Sequence, residues 1–195
     1  DVNCEVVLEP NLEITQPDKL TATVARTAVT CYGANDGTIT ISDPQGGYGT
    51  YEFSINGGGT WQLSGSFTGL APGYYNVITR DEAHPSCIVV LNNSLQITQP
   101  NVLYGVIATT MVSCNGADDG IITINNPTGG YGTYEFSNDG GSTWQAGSSF
   151  NDLAPGSYDV RMRDAANQAC ETILNPSVLI TEPSVLSAVV DKTDI

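Results

Sequence analysis

Five cysteines, at positions 4, 31, 87, 114 and 170, are the residues best placed to do covalent chemistry, and their spacing is regular. Cys4, Cys87 and Cys170 stand 83 residues apart, as do Cys31 and Cys114. Cysteines at fixed positions of a repeat point to structural disulfides formed in an oxidising compartment. Two pairings satisfy the register. In the preferred one, Cys31 bonds Cys87 and Cys114 bonds Cys170, so that each repeat closes on itself and Cys4 is left for an upstream neighbour. In the other, Cys4 bonds Cys31 and Cys87 bonds Cys114, each pair centred on a turn at Pro17-Asp18 or Pro100-Asn101, and Cys170 is left over.

Acidic residues are the next source of chemistry. Asp36, Asp118 and Asp119 fall in loops, and Asp81 and Asp164 lead turns at strand ends. Calcium needs roughly six to eight oxygens converging on one point, and the D-x-D-x-D-G spacing of a calcium loop is missing. These acids therefore read as turn-formers, with a calcium site at Asp36, Asp118 and Asp119 as the alternative and no other cofactor expected. Tyr48, Tyr51, Tyr131 and Tyr134, with Trp61 and Trp144, would make a sugar-stacking platform if exposed on one face. Alternation along a strand instead favours core or cross-strand packing. His84 is the single histidine, and Asn167 takes its place in the other copy. No Ser-His-Asp set can be built twice, and no glycine-rich loop precedes a helix as a phosphate cradle requires. The chain is expected not to be an enzyme.

The elements that position these residues repeat with the same period. Gly46 to Gln62 returns as Gly129 to Gln145, and each copy reads as one β-hairpin with a turn at Asn56 or at Asn138-Asp139-Gly140-Gly141. Ser137 to Trp144 fits the pattern S-x-D-x-G-x-T-W and so resembles the Asp-box of sialidases, a hairpin-folding device in which the Asp caps turn amides and the Trp packs beneath. Ser54 to Trp61 fits it with Asn56 in place of the Asp. Leu20 to Ala25 and Thr38 to Ile41 alternate as strands, and the Asp36-Gly37 step between them reads as a left-handed reversal. Pro-Gly corners precede Tyr75 and Tyr158, a spacing that resembles the tyrosine corner of immunoglobulin-like sandwiches.

The expected fold is all-β: tandem immunoglobulin-like antiparallel β-sandwich modules of about seven strands on an 83-residue repeat. Boundaries are expected at Pro17, Pro100 and Pro183. Residues 1–17 then form the last strand of a truncated upstream repeat, 18–100 and 101–183 two sandwich repeats, and 184–195 the first strand of a truncated downstream repeat. The formal charge is −15, a field that repels nucleic acid and anionic membrane surfaces. No apolar run is long enough to insert in a bilayer as a helix.

Taken in order, Cys-x-Gly-x-x-Asp-Gly, then Gly-Gly-x-Gly-x-Tyr-x-Phe-Ser, Gly-Gly-x-x-Trp-Gln, Phe-x-x-Leu-x-x-Gly-x-Tyr-x-Val, Arg-Asp, Cys and Ile-Thr-Gln-Pro resemble the SprB-type repeat of very large gliding-motility adhesins of Bacteroidota. The resemblance covers both repeats and both flanks. It implies a cell-surface, extracellular filament exported by the type IX route, which extends from the cell and adheres to a substratum while motility machinery drives it. Its partners would be neighbouring repeats, an external surface or polysaccharide, and motility or secretion machinery acting through other regions. The family implies no catalytic residues. The alternatives are carbohydrate-binding modules of a secreted protein, or an accessory region of a secreted hydrolase.

Overall fold

The computed structural model describes residues 12–192. Cys4 and most of the strand expected over residues 1–17 lie outside them. Every regular element among the described residues is a strand, and no helix is long and apolar enough to cross a membrane. The chain divides into two compact units: one holds residues up to Thr27 with Gly37–Ile97, the other Ala28–Asp36 with residues from Thr98 onward.

In the first unit the strands are β1 (Thr21–Thr27), β2 (Gly37–Gln45), β3 (Tyr51–Ser54), β4 (Ser66–Leu70), β5 (Gly73–Asp81) and β6 (Ile88–Ile97). They form two antiparallel sheets in the orders β1-β2-β4 and β3-β5-β6. Side chains alternate across a pleated strand, so Ile39 and Ile41 of β2 point inward. They are buried along with Phe53, Val77, Ile78 and Ile97 of the other sheet. Val77 and Ile78 are adjacent yet both buried, because they point to opposite faces of β5 and the hairpin turn covers Ile78, where a Cβ at Gly58 would lie 3.4 Å from Ile78 Cδ1.

The second unit repeats this with β7 (Asn101–Thr110), β8 (Gly120–Gly130), β9 (Tyr134–Ser137), β10 (Ser149–Leu153), β11 (Gly156–Asp164) and β12 (Glu171–Ile180). Its sheets run β10-β8-β7 and β12-β11-β9, all antiparallel. One apolar cluster joins both sheets through Leu103, Ile122, Ile124, Phe136, Val160, Met162 and Ile180. All-β units of paired antiparallel sheets fit an immunoglobulin-like sandwich.

Each unit has six named strands where the sequence suggested about seven. The second arm of the long hairpin is the difference: it reaches its partner only at single bridges, Phe53 with Gln62 and Phe136 with Gln145. The strand read from the alternation at Thr38 to Ile41 continues to Gln45, through Pro44. Proline is tolerated there because the β1 register slips between Thr21 and Thr23 and β4 pairs only with Gly37 to Thr40, so no ladder donor is needed. The Asp36-Gly37 step is not the left-handed reversal expected. Gly33 has that conformation, at φ 77°. Gly37 is required for space instead, since a Cβ there would lie 2.8 Å from Ile97 Cγ2 and 2.9 Å from the Leu70 carbonyl.

Candidate functional site

The hairpin box is built the same way twice. Ser137 Oγ donates to Asp139 Oδ1 at 2.7 Å and accepts from the Gly141 amide at 2.9 Å, while Asp139 accepts from the amide and hydroxyl of Thr143 at 2.9 and 2.6 Å. In the first copy Ser54 and Asn56 hold the Gly58 and Thr60 amides, at 2.9 and 3.0 Å. Glycines at 140 and 141 take φ of 72° and 89°, which this turn requires. Burial alone would raise the Asp139 carboxyl, but the Thr143 and Ser137 hydrogen bonds outweigh it and bring the pKa down to about 2.

Because Asn56 does the same work in the first copy, Asp139→Asn is expected to cost under about 0.5 kcal/mol at neutral pH, whereas Asp139→Ala should cost about 1 kcal/mol by freeing turn amides. The folded pKa is depressed, so the contribution of the charge is complete above the unfolded value near roughly 3.9 and fades as pH falls toward about 2. Urea titrations at a series of pH values check this. Wild type should lose stability relative to Asp139→Asn across that window, and parallel pH profiles would count against the assignment.

Each box tryptophan is half-buried beneath an arginine. The Arg80 guanidinium lies 4.2 Å from the Trp61 ring centre and Arg163 4.3 Å from that of Trp144. Each arginine is fixed by a carboxylate across the sheet, Glu52 or Glu135, at 2.7 Å. The remaining aromatics are not one platform. Tyr51 and Tyr134 are half-buried, and their hydroxyls donate to the Gly46 and Gly129 carbonyls at 2.9 and 3.0 Å. Tyr48 and Tyr131 are 57% and 55% exposed. Tyr48 stacks on His84 with ring centres 4.0 Å apart, and Tyr131 donates to the Thr30 carbonyl at 3.2 Å. The Tyr75 and Tyr158 hydroxyls each donate 2.8 Å to a carbonyl four residues upstream, Ala71 or Ala154.

The loop acids turn onto their own loops. Asp36 accepts from the Thr30 amide at 2.9 Å and from the Thr30 hydroxyl, and Asp119 from the Ser113 amide at 2.8 Å. Hydrogen bonds from the Thr30 and Ser113 side chains, with their amides, hold both carboxyls below the usual range. Asp118 is exposed. Among the described residues no three His, Cys, Asp or Glu side chains converge as a metal would need.

Cys31 is bonded to Cys170, with a Cα separation of 5.3 Å. Neither pairing drawn from the sequence is the observed one. Cys87 and Cys114 are unpaired and exposed, and Cys4 is outside the described residues. The expected schemes bond Cys31 within its own repeat or to the upstream one, but loop 28–36 packs with the second unit. The Val29 amide donates to Thr98 O at 3.0 Å and the Gly33 amide to Gln99 Oε1 at 3.0 Å, so Cys31 is delivered to Cys170. A disulfide forms only where Cα atoms come within about 7 Å.

Sequence reasoning passed over three features. Asp81 and Asp164 are fully buried rather than simple strand-end charges. The arginine roofs were open to detection, since Trp61–Arg80 and Trp144–Arg163 share one spacing. Arg161, clamped between Asp159 at 2.7 Å and Glu171 at 2.9 Å, has Ile78 at its place in the first copy and gave no repeat signal.

A family model described as SprB repeat matches the chain twice, at residues 23–60 and 106–143. Each match runs through the turn-closing aspartate and the double glycine to the box threonine. Comparison with curated proteins returns no match. The two repeat matches point to an adhesin-type repeat region of a cell surface.

Proposed function

We propose, from the premise that two SprB repeats lie in this chain, that it is a stretch of a long extracellular adhesin filament, serving structural extension and surface adhesion in gliding motility. The filament would leave the cell by the type IX route and meet an external surface or polysaccharide, with neighbouring repeats and the motility machinery as its other partners. The observation that carries this reading is that the loop acids, the box residues and the corner tyrosines close turns, copy for copy. Asn56 and Asp139 hold one turn, Asp36 and Asp119 another, and Tyr75 and Tyr158 a corner. A protein acting by shape and number needs such turns held alike in every copy, and weak contacts repeated along a filament add by avidity.

Antibodies raised against the chain are expected to label intact, unpermeabilised cells and to slow their movement over glass. Cells that stain only after permeabilisation would overturn the surface assignment, and labelling without any effect on movement would overturn the motility part. The exposure of Tyr48 and Tyr131 favours a second reading, carbohydrate binding. On a polysaccharide array it requires retention that is lost in the Tyr48→Ala, Tyr131→Ala double variant, whereas the spacer reading requires silence.

A further inference from the structure

Cys87 stands where Cys170 stands in the other copy, and Cys114 where Cys31 stands. One of these positions in each repeat is therefore bonded and its counterpart is not. The surroundings match. The bonded groove is lined by Pro100, Asn101, Val102, Leu103, Gly130 and Cys170, with Cys31 and Tyr32 seated in it. The groove at Cys87 is lined by the residues 83 positions earlier, Pro17, Asp18, Lys19, Leu20, Gly47 and Cys87, and among the described residues no loop is seated in it as Cys31 and Tyr32 are in the other. Cys170 is 6% exposed under the seated loop, while Cys87 is open to solvent.

The loop that carries Cys114 is already shaped like the seated one. The Val112 amide donates to Thr181 O at 3.1 Å, as Val29 does to Thr98. The Gly116 amide donates to Glu182 Oε2 at 2.7 Å, as Gly33 does to Gln99. The Ser113 amide meets Asp119 as Thr30 meets Asp36. At the bonded groove two side chains grip the loop's Thr30 carbonyl: Tyr131 at 3.2 Å and Asn167 at 3.5 Å. Their counterparts at the open groove are Tyr48 and His84, both able to donate and stacked on each other.

We propose that Cys87 and Cys114 are the two halves of a repeat-to-repeat disulfide: the Cys87 groove receives the early loop of another repeat of this kind, and Cys114 offers that loop onward. The bond forms by exchange with a small-molecule disulfide such as oxidised glutathione. The Cys87 thiolate attacks it, making a mixed disulfide and expelling one glutathione thiolate. The Cys114 thiolate of the incoming loop then attacks the Cys87 sulfur and expels the second, so that two protein thiols are oxidised and one glutathione disulfide is reduced to two thiols.

A second copy of the full chain supplies the missing partner. In a Cys4→Ser background, Cys87→Ser keeps only the donor half and Cys114→Ser only the acceptor half, and both substitutions fall on exposed residues. Mixed in a glutathione redox buffer, the two variants should give a heterodimer at least tenfold over either homodimer, and its peptide map should carry a Cys87–Cys114 bond beside an intact Cys31–Cys170. Free thiols throughout, or Cys87–Cys87 and Cys114–Cys114 dimers in comparable yield, would overturn the proposal.

Discussion

Removing the Cys31–Cys170 bond is expected to lower the stability of the second unit by about 5 kcal/mol. The bond joins residues 139 apart in sequence, and the chain-entropy relation for a loop of that length gives about 5 kcal/mol at room temperature. For a unit of this size each kcal/mol moves the melting point by roughly 4–8 °C, so the Cys31→Ser variant should melt about 20 °C or more below the parent. Differential scanning calorimetry of the parent, Cys31→Ser and Cys87→Ser checks it. Cys87→Ser, which touches an unpaired thiol, should match the parent, and a Cys31→Ser transition within about 3 °C of it would show that the loop is held without the bond. Some of the anchoring does survive reduction. Val29 is wholly buried, and the Thr98 and Gln99 contacts remain. The loop should therefore stay docked at low temperature while the unit loses its margin against heat.

That bond also marks the limit of what spacing alone conveys. The period of 83, the hairpin, the box turn and the strand alternation at Ile39-Thr40-Ile41 are local patterns, and each is legible because a turn or a pleat is decided by a few adjacent residues. Cys31's partner depends on which unit loop 28–36 packs against, and that rests on the burial of Val29 and on hydrogen bonds to Thr98 and Gln99, far along the chain. Gly37 is required, but for space and not for a left-handed turn. In sequence an Asp-Gly step means a turn, whereas here the glycine leaves room for Ile97, sixty residues downstream by count of the chain. The aromatics divided for a similar reason. Tyr48 and Tyr51 are three apart, an odd spacing that a pleated strand sends to opposite faces, and the left-handed glycines 46, 47 and 49 bend the chain around Tyr48. Trp61 and Trp144 acquired their roofs from strands β5 and β11, which only the common Trp–Arg spacing of the two copies links to the hairpin.

The second large effect is expected at Asp164, which the sequence offered only as the head of a turn. Its carboxylate is fully buried at the end of β11. It accepts the Ala166 and Asn167 amides at 2.8 and 3.2 Å, together with the Tyr131 amide from the bend after β8. It thus ties the turn after β11 to the bend after β8, and Asp164→Ala leaves three amides without this partner. Since an unsatisfied buried amide costs about 1–3 kcal/mol, with partial relief from water, a loss of roughly 3 kcal/mol is expected. Gly130 meets the same carboxylate from the other side. It sits at φ 53°, and a Cβ there would lie 2.2 Å from Asp164 Oδ2. Gly130→Ala should therefore be severe in the parent and milder in the Asp164→Ala background, because the clash disappears with the carboxylate while the backbone strain remains. Asp81 repeats the arrangement, with the Tyr48 amide at 2.6 Å and the His84 amide at 3.1 Å. The Tyr48 hydrogen bond is the chief cause that holds its carboxyl below the usual range. A depressed carboxyl stabilises the fold above its unfolded value and ceases to do so as pH falls through its folded one, so acid should loosen the bend after β2 in the first unit. Urea unfolding of the four second-unit proteins, parent, both single variants and the double, gives the coupling directly. Additive losses would mean that Asp164 and Gly130 do not meet, and the carboxylate would then not be what joins the two turns.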